Sequence, residues 1–259
     1  MANKNNCQEA QASDSRDEQR DLRADRKANL EKSGSEPEQI ADSNCRSIAI
    51  ISDVHANAHN LITVFRKIDA MEIKDVFCLG DFASGGEYPK ICFELITERC
   101  SIILKGNHEL FVTDRVWDSS TSEWAWLAKA ADLELGSSRV SVLRSLPYQV
   151  DGSAMQLVHA SLRDPIWEFI STAATAAKQF PLQTADYTFY GHTHTPALWA
   201  YDENNGASRI RISQDWIDLP KRALINPGAV MDPRGARWLE VKLNAKGRPE
   251  VVRWHREPN

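Results

Sequence analysis

From residue 47 onward, the chain alternates between short apolar runs and segments in which apolar residues recur three or four positions apart. The apolar runs at 47–51, 76–79 and 102–104 end in polar or glycine-containing clusters and predict buried strands. Helices are predicted after the first two strands by the spacing of Leu61, Val64, Phe65 and Ile68 and by that of Ile91, Leu95 and Ile96. Strands that alternate with helices predict an α/β domain with a parallel sheet.

The middle of the chain has a different pattern. Residues 110–146 are predicted to be helical and carry Trp117, Trp124 and Trp126. We interpret these tryptophans as core or helix-packing residues, with stacking on a substrate as the alternative.

The last part of the chain is rich in predicted strands. An alternating segment from Trp238 to Leu243 is followed by a turn sequence at 244–247 and a further apolar run, which predicts a terminal hairpin. Earlier strands are predicted at 156–159, 187–190 and 209–212.

Residues 1–45 differ from the rest because they contain no aromatic residue and hardly any β-branched residue. Such a segment buries too little apolar area to offset its ordering entropy, so we expect a disordered polar tail before a domain at 46–257. The mixed charges between Asp14 and Lys32 leave a partner-binding helix as an alternative. A second alternative is that the natural protein begins downstream of Met1.

The composition is that of an ordinary globular protein, and it narrows the function classes. The 259 residues are 42% apolar and 26% charged, enough for one large domain or two small ones. A net charge of -5 and a pI near 5.8 argue against a duplex-DNA binder. No run approaches the roughly 18 apolar residues of a membrane span, and the N-terminus has no apolar signal region.

The cysteine pattern indicates a reducing compartment. There are five cysteines, an odd number, without a C-x-x-C pair. Cys78, Cys92 and Cys100 lie in apolar stretches and are expected to be buried. We therefore expect a cytoplasmic protein.

Five polar clusters carry the candidate chemistry, and each follows a predicted strand. They are Asp53-Val-His55, Gly80-Asp81, Gly106-Asn-His-Glu109, His159 and Gly191-His-Thr-His194. The carboxyl ends of strands are where open α/β sheets bind ligands. Residues two apart in extended chain point the same way, so Asp53 with His55, and His192 with His194, are each expected to face one ion. The glycines are expected to permit sharp turns.

The residue types point to metal binding. One divalent ion takes about four protein ligands, so a larger set suits two ions that share one carboxylate. Imidazole, carboxylate and amide donors without thiolate suit manganese, which we favour in vitro, with iron, zinc, nickel or magnesium as alternatives. Two carboxylates opposite two dications leave the site positive, which would attract phosphate. The candidate ligands are Asp53, His55, Asp81, Asn107, His159, His192 and His194.

The order of these clusters resembles the calcineurin-like metallophosphoesterase superfamily over about residues 47–257. Further segments resemble its small bacterial and archaeal phosphodiesterase branch. These segments are His59-Asn-Leu61, Leu143-Arg-Ser-Leu-Pro147, His159-Ala-Ser-Leu-Arg-Asp-Pro165, Ile225-Asn-Pro-Gly-Ala229 and Asp232-Pro-Arg-Gly235. The resemblance implies a four-layer α/β sandwich of two mixed β-sheets flanked by helices, with the metal site at the C-terminal ends of the strands.

The resemblance also implies roles for individual residues. One ion would take Asp53, His55, Asp81 and His194, and the other Asp81, Asn107, His159 and His192. Asp81 would bridge them, and His108 would act on the leaving group as a general acid without binding metal. The implied reaction is hydrolysis of a phosphodiester or phosphomonoester by a hydroxide that the two ions activate, with a small molecule or nucleotide as substrate.

One segment departs from part of the superfamily. Protein Ser/Thr phosphatases and dinucleoside-tetraphosphate hydrolases carry Gly-Asp-x-x-Asp-Arg-Gly, where this chain has Gly80-Asp-Phe-Ala-Ser-Gly-Gly86. The phosphate-clamping arginine is therefore missing from its usual place. Arg163 is a candidate substitute, with a structural ion pair as the alternative.

Several polar residues have a structural and a functional interpretation. Asn57 is expected to cap the first helix, and Asn226 to form a turn, with substrate contact as the alternative for both. Glu109 is expected at a helix start. His59 and His255 are expected to be solvated.

Other functions remain open at this point. They are a protein Ser/Thr phosphatase, a dinucleoside polyphosphate hydrolase, a nuclease for short substrates and a non-catalytic scaffold with the same fold. The segments 83–90, 110–146 and 160–180 are expected to form the groove walls that set substrate selectivity. The motifs indicate no oligomeric state.

Overall fold

The computed structural model of the protein describes residues 46–115 and 122–258. The tail predicted at 1–45, and Trp117, lie outside the described residues. The described helices are α1 (Ala58–Ala70), α2 (Pro89–Arg99), α3 (Asn107–Thr113), α4 (Glu123–Ser145) and α5 (Ala173–Ala177). The described strands are β1 (Arg46–Ile51), β2 (Asp75–Cys78), β3 (Ile102–Ile103), β4 (Gln149–Asp151), β5 (Met155–Val158), β6 (Tyr187–Tyr190), β7 (Ala197–Asp202), β8 (Gly206–Ile210), β9 (Ile217–Asp218), β10 (Ala223–Asn226), β11 (Ala236–Leu243) and β12 (Pro249–Glu257).

The strands form two six-stranded mixed sheets. Sheet A has the order β3-β2-β1-β11-β12-β9 and sheet B the order β4-β5-β6-β10-β7-β8. β1, β2 and β3 are parallel neighbours, as are β5, β6 and β10, and the remaining pairs are antiparallel. The predicted parallel arrangement is thus limited to three strands of each sheet, and the terminal hairpin is confirmed as β11 and β12.

The core lies in three layers, and β1 shows why. Its side chains alternate between faces. Ile48 and Ile50 join the cluster between the two sheets, whereas Ala49 and Ile51 join the cluster under α1, α2 and α4. A third cluster lies where the α5 region packs on the outer face of sheet B. This is the four-layer sandwich that the sequence resemblance implies.

Local sequence explains how the helices begin and bend. Asn57 caps α1, because its side-chain oxygen accepts a hydrogen bond from the Asn60 backbone N–H at 3.1 Å, as predicted. α4 is kinked at Gly136, which has φ 73°. Within the described residues, no helix is long and apolar enough to cross a membrane.

Two expectations about side-chain burial are wrong. Trp124 and Trp126 are exposed on α4 instead of packing in the core. His255 is not solvated, because its ring stacks on Trp238 at a centroid distance of 4.0 Å and its Nε2 lies 2.9 Å from a Glu240 oxygen. His59 is exposed, as expected. Cys78 and Cys92 are buried, as expected, and Cys100 is half-buried.

Candidate metal centre

The five polar clusters come together at the carboxyl ends of parallel strands. Asp53 and Asp81 follow β1 and β2, and Asn107 follows β3, all in sheet A. His159 follows β5 and His192 follows β6 in sheet B. The site is therefore assembled from both sheets, and neither sheet contains it alone.

The backbone at these positions is not extended, contrary to the expectation from residue spacing. Five candidate ligands have left-handed φ values between 47° and 62°, namely Asp53, His55, Asp81, His192 and His194. Such conformations cost a non-glycine residue on the order of 1–3 kcal/mol and persist where the surroundings impose them. The strain is concentrated at the candidate site.

The glycines have a different role from the expected one. Of the three, only Gly80 has a positive φ, at 106°. Side-chain atoms take the space that a Cβ would need at the other two glycines, the Asp81 carboxylate at Gly106 and the Ser52 hydroxyl together with the Asp53 carboxylate at Gly191. A Cβ on Gly106 would lie 2.8 Å from Cγ of Asp81, and a Cβ on Gly191 would lie 2.9 Å from Oδ2 of Asp53.

One group of donors contains Asp53, His55 and His194. Nε2 of His55 lies 3.0 Å from Nε2 of His194, which in turn lies 3.4 Å from Oδ1 of Asp53. Two imidazole nitrogens and a carboxylate oxygen thus point into one small volume.

A second group contains Asp81, His159 and His192. Nε2 of His159 lies 3.3 Å from Oδ2 of Asp81 and 3.1 Å from Oδ1 of Asn107. His192 therefore belongs to a different group from His194, in contrast to the interpretation from residue spacing, whereas the family resemblance implied separate ions for the two. Asn107 adds an amide oxygen to the second group.

Asp81 links the second group to the first, and with His55 and His108 it forms a third group of clustered donors. Its Oδ2 is 3.8 Å from Nε2 of His55, in addition to its contact with His159. Its Oδ1 accepts the backbone N–H of His108 at 2.8 Å. The His108 ring stands edge-on to His55 at 4.4 Å, at the mouth of the first group.

Glu109 holds the loops that carry the ligands. It lies in the first turn of α3, as predicted, but its side chain is completely buried. Its carboxylate accepts four backbone N–H groups at 2.8–2.9 Å, those of Asp81, Phe82, Ala83 and Gly106. In the sequence, Glu109 directly follows Asn107 and His108. The interpretation as a helix-start residue did not anticipate that its carboxylate also holds the two loops together.

The electrostatics of the site suit cations. Burial alone would raise the pKa of Asp81, but His159 and His108 hold it well below its ordinary value. Burial lowers the pKa of His55 to about 4, so that its ring is neutral at pH 7. Burial would also lower the pKa of His159, yet Asp81 and Asp53 raise it to about 9.

The donor set fits divalent metal ions. Nδ1 of His55 is buried without a hydrogen-bond partner, and its Nε2 faces a second imidazole. Facing imidazole nitrogens and buried carboxylates are stabilised by a shared cation. The oxygen and nitrogen donors without thiolate are those expected for manganese, iron, zinc or nickel.

The three candidate substrate residues already have structural partners. Arg163 is paired with Glu168, the structural alternative given above, although its side chain is 52% exposed. The buried amide of Asn226 donates to the Gly191 carbonyl at 2.7 Å and accepts from the Gly228 N–H. Asn226 thus supports the loop that carries the last two histidines, and Asn57 caps α1.

Aromatic side chains from two of the segments expected to form groove walls, 110–146 and 160–180, border the site. The Trp124 ring lies 5.0 Å from that of His108, and the Phe169 ring 4.2 Å from that of His192. Both aromatic side chains are about half exposed.

The fold and the clustered donors define a two-sheet α/β protein with a candidate metal centre. Residues 47–242 match the family model described as the calcineurin-like phosphoesterase superfamily domain, so the chain belongs to that superfamily. The resemblance seen in the sequence is confirmed.

Three proteins are similar to this one over most of its length. A metallophosphoesterase from Sphaerobacter thermophilus is 32% identical with a TM-score of 0.71, covering 83% of this chain and 89% of that one. An uncharacterized protein of Methanocaldococcus jannaschii is 29% identical over 203 residues, which are 72% of this chain and 77% of that protein. A hypothetical protein from Pyrococcus horikoshii OT3 shares the fold, with a TM-score of 0.64, 14% identity and coverage of 82% and 87%.

Proposed function

We propose that this protein hydrolyses phosphodiester or phosphomonoester bonds with two divalent metal ions, manganese being the first choice in vitro. The observation that carries the proposal is the pair of donor groups on either side of Asp81, with His108 at the mouth of one of them. Membership of the phosphoesterase superfamily supports the same reaction class.

The proposed ligand sets follow the grouping of the side chains. Asp53, His55, Asp81 and His194 would hold one ion, and Asp81, Asn107, His159 and His192 the other. When bound, the ions supply a nucleophile from water near neutral pH and neutralise charge on the phosphoryl oxygens. The chain holds its ligands in place through Glu109, which fixes the Asp81 loop, and through Asn226, which fixes the loop of the last two histidines.

His108 is the proposed general acid. It stands beside the first donor group, and Asp81 accepts its backbone N–H, which fixes where its ring lies. A proton on this ring can pass to the leaving oxygen as the phosphorus–oxygen bond breaks, which avoids release of an unstable alkoxide.

A protein Ser/Thr phosphatase and a dinucleoside polyphosphate hydrolase are less favoured, because Arg163, the one candidate for the missing phosphate clamp, is engaged by Glu168. A non-catalytic scaffold is less favoured still, since such a protein has no need of the complete donor set. The expected substrate is a small phosphoester or nucleotide, and the expected location is the cytoplasm. Both expectations stay predictions.

The test is hydrolysis of bis-p-nitrophenyl phosphate by the purified protein with added Mn²⁺, together with metal analysis of the same sample. We expect turnover and about two ions per chain. Asp81→Asn should lose several kcal/mol of transition-state stabilisation, on the order of 10³-fold in rate. Asp215→Asn, a matched change at an exposed position, should leave the rate unchanged.

The natural substrate class requires a wider panel. Cyclic nucleotides, dinucleotides, nucleotides, sugar phosphates and a phosphoprotein would be compared by kcat/KM. Absence of turnover of every phosphoester by metal-loaded protein, or full activity in Asp81→Asn, would overturn the proposal.

A further inference from the structure

Four aromatic side chains lie next to the donor groups or next to one another. Trp124 contacts the His108 ring at 5.0 Å, and Phe111 contacts the same ring at 5.6 Å. Phe111 in turn lies 5.6 Å from Trp167. The centroid of the Phe169 ring lies 4.2 Å from that of the His192 ring. We call Phe111, Trp124, Trp167 and Phe169 the aromatic rim.

Three of the four rim side chains are exposed to solvent, although proteins normally bury large aromatic residues. Trp124, Trp167 and Phe169 are 47%, 46% and 54% exposed. Their neighbours Ile166 and Ile170 are buried, so the loop places its isoleucines in the protein and its aromatic rings outside. Phe111 is partly buried against the core, but core packing does not explain the other three side chains, and exposed apolar patches mark interaction sites.

The loop that carries Trp167 and Phe169 is held in one conformation before any ligand arrives. Oδ1 of Asp164 accepts the backbone N–H of Trp167 at 3.1 Å. Glu168 lies between the two aromatic residues and accepts hydrogen bonds from Ser161 at 2.7 Å and Gln179 at 2.8 Å. A fixed loop presents its rings at little entropic cost on binding.

We propose that the aromatic rim binds a planar aromatic group of the substrate by stacking, so that this enzyme prefers phosphoesters that carry a nucleobase or an aryl ring. The inference rests on the proposed function, because it places the phosphoryl group at the metal centre. Trp124 lies against His108, the residue that faces the leaving oxygen, so the aromatic group belongs to the leaving side of the ester. A ring on Trp124 would then lie next to the bond that breaks.

The test measures binding by calorimetry to the metal-loaded protein, with ligands that cannot be hydrolysed because a methylene group replaces the ester oxygen. Two matched pairs are used, the analogues of adenosine monophosphate and ribose 5-phosphate and those of phenyl phosphate and ethyl phosphate. In at least one pair we expect the aromatic member to bind about tenfold more tightly, the size of one stacking contact. The pair with the larger ratio identifies a nucleobase or an aryl ring as the preferred group.

The variants decide whether the rim is responsible. Trp124→Ala should reduce the affinity ratio within each pair to about one, and Trp124→Phe should keep much of the wild-type ratio. Trp126→Ala is the matched control. Trp126 lies on the same helix and is 66% exposed, but it is two residues after Trp124 and therefore on another face of the helix. Thermal unfolding of each variant checks that the fold is intact.

Two results would overturn the inference. One is equal affinity within both ligand pairs in wild type, and the other is an aromatic advantage that survives in Trp124→Ala. Failure of the proposed function is a separate observation, since it would be the absence of phosphoester turnover by wild-type protein whatever the affinities.

Discussion

The carboxylate of Glu109 joins two loops that carry candidate metal ligands. Its four backbone N–H donors belong to the loops after β2 and β3, which carry Asp81 and Asn107. A glutamine in its place could accept at only one oxygen and would turn an N–H₂ group toward backbone donors.

Glu109→Gln should therefore lower both stability and metal affinity. Donors left unsatisfied in a buried site cost about 1–3 kcal/mol, and loss of a supporting group lowers metal affinity about 10- to 100-fold. Urea unfolding and competitive metal titration measure the two effects. The control is Glu98→Gln, the same change at an exposed position on α2. Equal behaviour of the two variants would contradict the positioning role.

The proton donor proposed at His108 can be tested through the leaving group. His108→Asn should slow esters of poorly acidic alcohols about 10²- to 10³-fold, but p-nitrophenyl esters much less, because p-nitrophenolate leaves without a proton. A series of phosphodiesters with leaving groups of rising pKa gives the dependence of kcat in wild type and variant. The two ions should remain bound. A uniform loss across the series would exclude general-acid catalysis by this residue.

At the scale of single residues, the sequence identified the donor types but not their backbone. The glycines next to the motifs were expected to permit sharp turns. In the structure Gly80 has a positive φ, but so do Asp53, Asp81 and three histidines, whereas Gly106 and Gly191 leave room for side chains that approach them closely. No local pattern reports how closely two loops from distant strands approach each other.

At the scale of elements, β11 and β12 form a polar network on the outer side of sheet A. Glu240 is paired in register with Arg253 and accepts its Nη2–H at 2.7 Å, and His255 lies 2.9 Å away. Burial alone would raise the pKa of Glu240, but the hydrogen bonds from His255 and Arg253 hold it below its ordinary value of 4.5.

The sign of the pH effect follows from that depressed pKa. The network stabilises the fold above pH 4.5, where the unfolded chain is also ionised, and this stabilisation is lost as the pH falls through the lower folded pKa. Glu240→Gln should thus cost about 1–3 kcal/mol at pH 7 and progressively less as the pH falls below 4.5. Denaturant unfolding of wild type and variant at pH 7 and pH 3 measures the difference. The same cost at both pH values would show that shape, not charge, is what the glutamate contributes.

The elements were more predictable than their arrangement. The apolar runs located β1, β2, β5 and β6 to within a residue or two, and Asn244-Ala-Lys-Gly247 located the hairpin. Residue periodicity carries no information on which strands are neighbours. That β11 inserts beside β1, opposite β2, follows from the packing of whole layers, and only the family resemblance anticipated two mixed sheets.

At the scale of the whole molecule, the candidate ligands connect the two sheets. Asp53 and Asp81 belong to sheet A, and His159 and His192 to sheet B. A ligand that binds only the folded state stabilises it in proportion to its affinity. Cations also offset the cost of burying carboxylates and of holding strained loops.

Metal ions should therefore stabilise the entire fold. We expect the melting temperature to fall by several degrees on treatment with a chelator, because one kcal/mol corresponds to about 2–4 °C for a domain of this size. Added Mn²⁺ should restore it in wild type but much less in Asp81→Asn. Scanning calorimetry with and without chelator makes the comparison. Identical melting curves in both conditions would show that the ions do not support the fold.

The pairing of β1 with β11 has a consequence for the order in which the protein is made. The last candidate ligand, His194, is synthesised before β11 and β12. Yet β1, which leads into Asp53, has β11 as one of its two neighbours, and the Met231 N–H bonds to the Asp53 carbonyl. All the donors are thus present on the nascent chain while the frame that holds the first of them is incomplete. Metal loading is expected to be one of the final steps of maturation, and a released chain that ends at residue 230 should carry every candidate ligand but bind metal weakly.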